Sequence, residues 1–160
     1  MAMTRVVRVR KPGGIEQFEI ADVELPPLAA DEIQIRQTAI GVNFVDVYQR
    51  TGLYPMPPAN IPGVEGVGVV AGVGPNVTSI SVGDRVAYAG APVGAYASER
   101  NLPAGRAIRL PSALSDTQVA SVFLKGITAH MSLYRVYPVG PGTTILVHSA
   151  AGGLGQLLTR

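Results

Sequence analysis

Asn43, Asp46 and Tyr48 lie close together in the sequence, where a loop leads into a short predicted helix, and Tyr54 follows that helix. Polar side chains at such a junction can converge on a pocket, and a tyrosine O–H can stabilise negative charge that develops on a substrate oxygen. Structural roles are equally open. Asn43 could be a turn residue or helix cap, Asp46 a first-turn acid favoured by the helix dipole, and the tyrosines rim aromatics. These four residues are the candidate catalytic groups.

A glycine-rich turn near the end of the sequence is the second chemical feature. Thr143 to His148 is β-branched and apolar, which is typical of a buried strand, and a helix is expected to begin by Gln156. A strand, a small-residue turn and a helix N-terminus together suit pyrophosphate, because glycines allow close approach and the helix start offers free N–H groups. The predicted cofactor-binding residues here are Ala151, Gly152, Gly153, Leu154 and Gly155. An ordinary strand-to-helix turn is the alternative.

A complete dinucleotide site also needs the next strand, with a selecting residue about 20 positions further on. That position lies beyond Arg160, so we expect the chain to be a truncated piece of a longer protein. In that case an exposed apolar face around Ile145 to Val147 should promote self-association.

Short strands with glycine and proline turns fill the first two-thirds of the sequence. Thr4 to Arg10 alternates, with Val7 and Val9 on one face, and Ile33 and Ile35 alternate with polar neighbours from Glu32 to Arg36. Val64 to Val73 is apolar and carries glycines, which predicts a bulge or close backbone approach. Many short strands at this spacing favour a small barrel.

Helices are predicted in two places. One runs from Phe44 to Arg50 and is closed by Gly52. The other starts at Ser115, which forms a capping box with Gln118, and runs from about Asp116 to Tyr137 with a break near Gly126. The fold class is therefore mainly β with a few helices.

Composition narrows the function classes. There is no cysteine among the 160 residues, which excludes disulfides and thiolate zinc sites. The net charge of +2 comes from dispersed residues without a basic patch, so no nucleic-acid partner is expected. No apolar run approaches the roughly 18 to 20 residues of a membrane span, so no membrane association is expected.

Six motifs in the same order and spacing resemble the zinc-free quinone oxidoreductases of the zeta-crystallin type, within the medium-chain dehydrogenase/reductase superfamily. The motifs are Ala39-Ile40-Gly41-Val42-Asn43-Phe44-Val45-Asp46-Val47-Tyr48, Arg50-Thr51-Gly52-Leu53-Tyr54-Pro55, Pro62-Gly63-Val64-Glu65-Gly66, Val82-Gly83-Asp84-Arg85-Val86, Phe123-Leu124-Lys125-Gly126-Ile127-Thr128 and Ala150-Ala151-Gly152-Gly153-Leu154-Gly155.

The resemblance implies a chaperonin-10-like (GroES-like) β-barrel over residues 1–125, without its C-terminal return segment, and the incomplete start of an α/β Rossmann domain over residues 126–160. It implies that NADP, as NADPH, is the cofactor. The nicotinamide end would lie near Asn43 and Tyr48, Tyr54 would lie at the mouth of the substrate cleft, and Lys125 and Thr128 would lie against the cofactor. Glu65 has no catalytic role that the sequence supports, and a buried pairing with Arg85 is one option.

Zinc-bearing relatives place a cysteine near the position of Asn43 and a histidine before the glutamate of a Gly-His-Glu motif. This sequence has Gly63-Val64-Glu65 and no cysteine, and its two histidines, His130 and His148, lie elsewhere. We therefore expect no metal site. Without a metal, hydrogen bonds must polarise a substrate carbonyl, which suits quinones and enones better than alcohols.

The leading hypothesis is the front part of a cytoplasmic, NADPH-dependent quinone oxidoreductase that is homodimeric when full-length and inactive as this fragment. The first alternative is a reductase that acts on the C=C bond of an enone or enoyl thioester. The second is a non-catalytic barrel that works by binding a partner.

Overall fold

The computed structural model describes residues 2–56 and 58–160. Seven strands and three α-helices are present in this part of the chain. The strands are β1 (Met3–Val9), β2 (Phe18–Glu24), β3 (Glu32–Ile40), β4 (Glu65–Val73), β5 (Arg85–Ala89), β6 (Glu99–Pro103) and β7 (Ala107–Arg109). The helices are α1 (Phe44–Thr51), α2 (Asp116–Met131) and α3 (Gly153–Leu158). The fold is mainly β with few helices, as the sequence predicts.

The chain forms two compact units, a first that ends at Ala120 and a second, Ser121–Arg160. The division at residue 125 that the family resemblance implies remains a prediction about domains.

Antiparallel pairing organises the first unit. Five strands form one sheet in the order β6-β3-β4-β5-β7, and β1 and β2 form a separate hairpin. A single bridge between Val6 and Ala97 connects the hairpin to the loop before β6. Two backbone bonds flank it, from Val7 N–H to the Tyr96 carbonyl (2.9 Å) and from Ser98 N–H to the Arg5 carbonyl (2.8 Å).

The core of this unit lies against β3. Ile33 and Ile35 are fully buried, which confirms the alternation read from the sequence. They pack in one cluster with side chains from β4, β5 and β6, among them Val70, Tyr88 and Leu102. Burying a side chain of this size stabilises a fold by about 1.5–3 kcal/mol.

Two irregularities in the β3–β4 pairing match the bulge that the glycines of β4 predict. Ala71 is the extra residue in β4 and Thr38 the extra residue in β3. Between them, Gly68 packs directly on β3: a Cβ there would overlap the Arg36 carbonyl oxygen and come within 2.6 Å of Ile35 Cγ2. Glycine is required at Gly68 because the two backbones approach too closely for a side chain.

The predicted faces of β1 are partly wrong. Val9 is buried, but Val7 is only half-buried, and the side chains inside are Thr4 and Val6. Thr4 can be buried because its hydroxyl donates to the Glu99 carbonyl at 2.8 Å. A buried polar group with a partner costs little, and alternation of apolar residues alone does not reveal it.

Both predicted helices form, but the break expected near Gly126 in the second helix is absent there. The capping box at the start of α2 is confirmed, since Ser115 N–H donates to Gln118 Oε1 at 3.0 Å and Gln118 N–H donates to Ser115 Oγ at 3.2 Å. The helix runs through Gly126 without a kink, because glycine weakens a helix but keeps its N–H donor. It changes instead to a π-helical turn, Ser132–Val136.

The predicted buried strand from Thr143 to His148 is wrong for this structure. The segment is irregular, and Leu146 is 82% exposed. A strand exists only when a neighbouring strand pairs with its backbone, and none of the described residues forms one beside it.

Candidate functional site

Helix α1 begins where the sequence places it, with Asn43 as its N-cap. Asn43 and Asp46 form a reciprocal capping box, in which Asn43 N–H donates to Asp46 Oδ2 at 2.9 Å. Gly52 ends the helix in the left-handed conformation, with φ of 83°. Asn43 is therefore a helix cap, as one of the structural alternatives proposed, and its side chain is held at a fixed place.

The amide of Asn43 also binds a buried carboxylate that the sequence did not predict as its partner. Asn43 Nδ2 donates to Glu65 Oε1 at 2.7 Å, and Glu65 is 1% exposed at the start of β4. The suggested pairing of Glu65 with Arg85 is wrong. Arg85 instead binds Asp116, with Arg85 Nε donating to Asp116 Oδ1 at 3.0 Å.

Asp46 lies inside the protein, on the inner face of α1. Its Oδ2 also accepts a hydrogen bond from the Tyr96 hydroxyl at 3.0 Å. Burial raises the pKa of Asp46, against hydrogen bonds that lower it. Burial, together with the neighbouring Asp46, raises the pKa of Tyr96 well above its ordinary value. This placement fits a residue that holds the helix start.

Tyr48 and Tyr54 form an aromatic surface with Phe44 beside α1. The ring centroids of Tyr48 and Tyr54 are 5.3 Å apart, and those of Phe44 and Tyr48 are 6.2 Å apart. Tyr54 N–H donates to the Tyr48 carbonyl at 3.0 Å, which fixes the second tyrosine relative to the helix. Phe44 is 76% exposed. Such a surface can pack against a planar conjugated ring, and the two hydroxyls add polar ends.

An apolar groove of about 460 Å³ runs between β1 and the end of β3, bordered by Val42 and Tyr96. Its polar side chains are already engaged within the protein. Gln37 Nε2 donates to the carbonyls of Ala95 and Ala97, each at 2.6 Å, and Ser98 Oγ accepts from Arg5 N–H at 3.0 Å. A specific ligand site needs polar groups free to converge on the ligand, so this groove is a weaker candidate than the start of α1.

In the second unit, Lys125 and Thr128 lie on α2. Thr128 Oγ1 donates to the Leu124 carbonyl at 2.8 Å, and Lys125 Nζ donates to the Ser121 carbonyl at 3.3 Å. The Lys125 stem packs on the glycine-rich turn, since a Cβ at Gly153 would come within 3.1 Å of Lys125 Cδ and Cε. The structure thus brings Lys125 together with one of the predicted pyrophosphate-binding residues.

The glycine-rich turn itself is tightly folded. Gly152 is the N-cap of α3, and its N–H donates to the Ser149 carbonyl at 2.8 Å. A Cβ at Gly155 would overlap the Ser149 carbonyl oxygen and come within 2.6 Å of Ala150 Cα. Gly155 therefore packs the first turn of α3 against the preceding turn.

Among the described residues, no group of three or more His, Cys, Asp and Glu side chains is arranged to hold a metal ion. Within the same part of the chain, every helix is too short or too polar to cross a membrane.

Residues 29–112 match the family of alcohol dehydrogenase GroES-like domains, and the chain belongs to that family. Its relatives include a quinone oxidoreductase from Salmonella typhimurium, 44% identical over 97% of this chain and 48% of the relative. A 2-haloacrylate reductase from a Burkholderia species is 39% identical over 98% of this chain and 49% of the relative. The resemblance to quinone oxidoreductases of the medium-chain superfamily is thereby confirmed.

Solved structures agree. The crystal structure of Escherichia coli quinone oxidoreductase complexed with NADPH matches with a TM-score of 0.91 and 42% identity, over 97% of this chain and 48% of that one. The chain spans about half the length of the curated relatives it matches.

Proposed function

We propose that the chain is the front part of a zinc-independent, NADPH-dependent quinone oxidoreductase. The observation that carries the proposal is an Asn43 amide held by Glu65 at the start of the helix whose Tyr48 ring packs against Tyr54. Such an arrangement can hold a planar, carbonyl-bearing ring and hydrogen-bond its oxygen. The identity to a relative named quinone oxidoreductase supports the same reading.

We propose that the predicted cofactor-binding residues bind a dinucleotide. In the first unit we assign the nicotinamide end to Asn43 and Tyr48. In the second we assign Lys125, Thr128 and the turn Ala151-Gly152-Gly153-Leu154-Gly155, in which the three glycines lack a Cβ atom and a lysine stem packs on Gly153. A lysine charge beside a glycine-rich turn at a helix start is the chemistry that an anionic phosphate prefers. NADPH, when bound, would supply the hydride.

The chain's own residues would orient the substrate and stabilise its oxygen. The Tyr54 and Tyr48 hydroxyls are the donors for a carbonyl oxygen, and Asn43 positions the ring. Asp46 supports the start of the helix that carries Tyr48, through its bonds to Asn43 and Tyr96. Zinc independence is proposed because Gly63-Val64-Glu65 and the lack of cysteine leave no thiolate or histidine ligand at the expected positions.

The test is a titration of NADPH into the ¹⁵N-labelled chain. We expect chemical-shift changes at Asn43, at Tyr48 and from Ala151 to Gly155, with Gly105 and its neighbours as an internal control. Weak binding is expected, because the chain spans about half the length of the quinone oxidoreductases that it matches, and oxidation of NADPH by 1,4-benzoquinone should be near background. Absence of shift changes at these residues at millimolar NADPH would contradict the proposal and favour a non-catalytic binding role for the barrel.

The complete enzyme that contains this chain is proposed to oxidise NADPH with a quinone acceptor in the presence of a chelator as fast as without it. Loss of that activity on chelation would contradict zinc independence. A cytoplasmic homodimer is the proposed state of that enzyme.

A second candidate is reduction of a C=C bond conjugated to a carbonyl group. It is favoured by the similarity to a 2-haloacrylate reductase, at an identity close to that of the quinone oxidoreductase. The two candidates share the need to stabilise a developing enolate or quinol oxygen. Assay of the complete enzyme against 1,4-benzoquinone and 2-chloroacrylate in parallel distinguishes them, since the better substrate has the higher kcat/KM.

A further inference from the structure

Glu65 is a buried acid with no part in the proposed chemistry. It is 1% exposed, and its Oε1 accepts a hydrogen bond from Asn43 Nδ2 at 2.7 Å. Buried carboxylates are costly to a fold, so a buried one that binds a candidate site residue calls for a reason beyond packing.

A carboxylate and an amide differ in how they pair. An ionised carboxylate only accepts hydrogen bonds, whereas the Asn43 amide has a donor end and an acceptor end. Turning the Asn43 amide by 180° would bring its Oδ1 against Glu65 Oε1, so that two acceptors would face each other. The same turn would remove the side-chain oxygen from the capping box with Asp46. Glu65 and the helix start therefore select the same orientation of the amide.

The carboxylate has little freedom to adapt. A Cβ at Gly41 would overlap Glu65 Oε1 and come within 2.5 Å of Glu65 Cγ. Gly41 precedes Asn43 by only two residues, so the backbone that leads into the cap passes directly over the carboxylate. Both partners of the hydrogen bond are thus held by the backbone around them.

We propose that Glu65 is a positioning residue that locks the Asn43 amide in one orientation, with its N–H end towards β4 and its oxygen towards α1. The lock fixes which hydrogen-bonding groups of Asn43 remain for a ligand. The consequence for NADPH rests on the proposed function, whereas the orientation itself does not.

The first measurement is the side-chain amide signal of Asn43 in ¹⁵N NMR spectra. In the unaltered chain we expect two well-separated proton signals. Glu65→Gln keeps an acceptor oxygen but removes the charge, so the signals should stay near their original positions. Glu65→Met removes the acceptor and should move them towards the shifts of a free amide. Glu24→Gln, at an exposed acid, is the matched control.

The second measurement is the affinity for NADPH by the same NMR titration, together with the melting temperature. Met fills space similar to that of Glu, so Glu65→Met should keep the fold and yet weaken binding about tenfold through a misplaced Asn43. Glu65→Gln should restore affinity to within about twofold of the unaltered chain. A merely structural role would change affinity and melting temperature together.

Asn43 signals that are the same in Glu65→Met as in the unaltered chain would overturn the proposal. Altered signals with unchanged NADPH affinity, where Asn43→Ala weakens binding, would overturn its functional part. If Asn43→Ala itself leaves affinity unchanged, the proposed contact between Asn43 and the coenzyme fails, while altered Asn43 signals in Glu65→Met would still support the lock.

Discussion

Asp46 is the kind of residue that a helix dipole favours on a protein surface, yet only 3% of it is exposed. Its Oδ2 holds both the N–H of the cap residue and the Tyr96 hydroxyl. The raised pKa has a defined consequence for stability. The folded carboxyl binds its proton more tightly than the unfolded one, so Asp46 makes the protein less stable as pH rises from about 3.8 through the raised value.

Asp116 changes the stability of the protein with pH in the opposite direction to Asp46. Its pKa is lowered from 3.8, first by the Thr38 hydroxyl, which donates to Asp116 Oδ2 at 2.6 Å, and then by Arg85. The folded pKa lies below the unfolded one. The stabilisation is therefore present above about pH 4 and is lost as pH falls through the folded pKa.

Thr38→Val and Arg85→Gln should each raise the pKa of Asp116 towards its ordinary value, because each removes a donor to the carboxylate. Each should also lower the free energy of unfolding at pH 7 by about 1 kcal/mol. The measurement is a ¹³C carboxyl NMR titration with urea unfolding. Arg109→Gln is the control. Arg109 binds Asp84, so this substitution should raise the pKa of Asp84 and leave the pKa of Asp116 unchanged. An unchanged Asp116 pKa in both variants would contradict the assignment.

At the scale of elements, glycines decide where backbones can meet. A Cβ added at Gly126 in α2 would meet no neighbouring atom within 4 Å. A Cβ added at Gly155 in α3 would overlap the Ser149 carbonyl oxygen. The two glycines lie in different helices of the second unit, and the sequence predicted a helix break at Gly126 and cofactor binding at Gly155.

Gly126→Ala should raise the free energy of unfolding by about 1 kcal/mol, because alanine is the better helix former and meets no clash. Gly155→Ala should lower it and should also shift the NMR signals from Ser149 to Gly152, because the turn must open to admit the methyl group. Urea unfolding followed by circular dichroism, with these spectra, is the measurement. Equal behaviour of the two variants would contradict the close packing of Gly155 against Ser149 and Ala150.

Local patterns predicted most elements of the first unit, whereas contacts between residues far apart in the sequence determined the candidate site. The alternation of apolar and polar residues was enough to predict that Ile33 and Ile35 are buried. The N-cap residue Asn43 and the glycine Gly52 were enough to predict the two ends of α1. The Asn43–Glu65 bond joins residues separated by 22 positions, and Thr4 contacts residues 94 and 95 positions away. Such pairings depend on how the strands assemble in the folded protein. The spacing of apolar residues within one segment carries no information about that assembly.

At the scale of the whole molecule, the two units differ in how many of their backbone N–H and C=O groups pair between strands. The first has an ordered five-stranded sheet around a buried cluster. The second has the segment from Thr143 to His148, which is strand-like in sequence but has no partner strand among the described residues.

Hydrogen exchange should divide the chain accordingly. The amides from Thr144 to Val147 should exchange at rates near those of an unstructured peptide, because no ladder protects them. The amides of Ile33, Ile35 and Val70 should be the slowest, since they lie in the central strands. Exchange measured by NMR is the test, at low protein concentration as well as high. Protection that appears only at high concentration would indicate self-association through the exposed Ile145 and Leu146.

The paired rings of Tyr48 and Tyr54 have an optical consequence. The chain contains no tryptophan, so its near-ultraviolet emission comes from six tyrosines alone. Excitation energy transfers readily between two phenol rings whose centroids are 5.3 Å apart. A quencher beside either ring therefore reduces the fluorescence of both. A reduced nicotinamide or a quinone that settles there would therefore dim the protein's intrinsic fluorescence, and the protein would report its own occupancy without any attached dye.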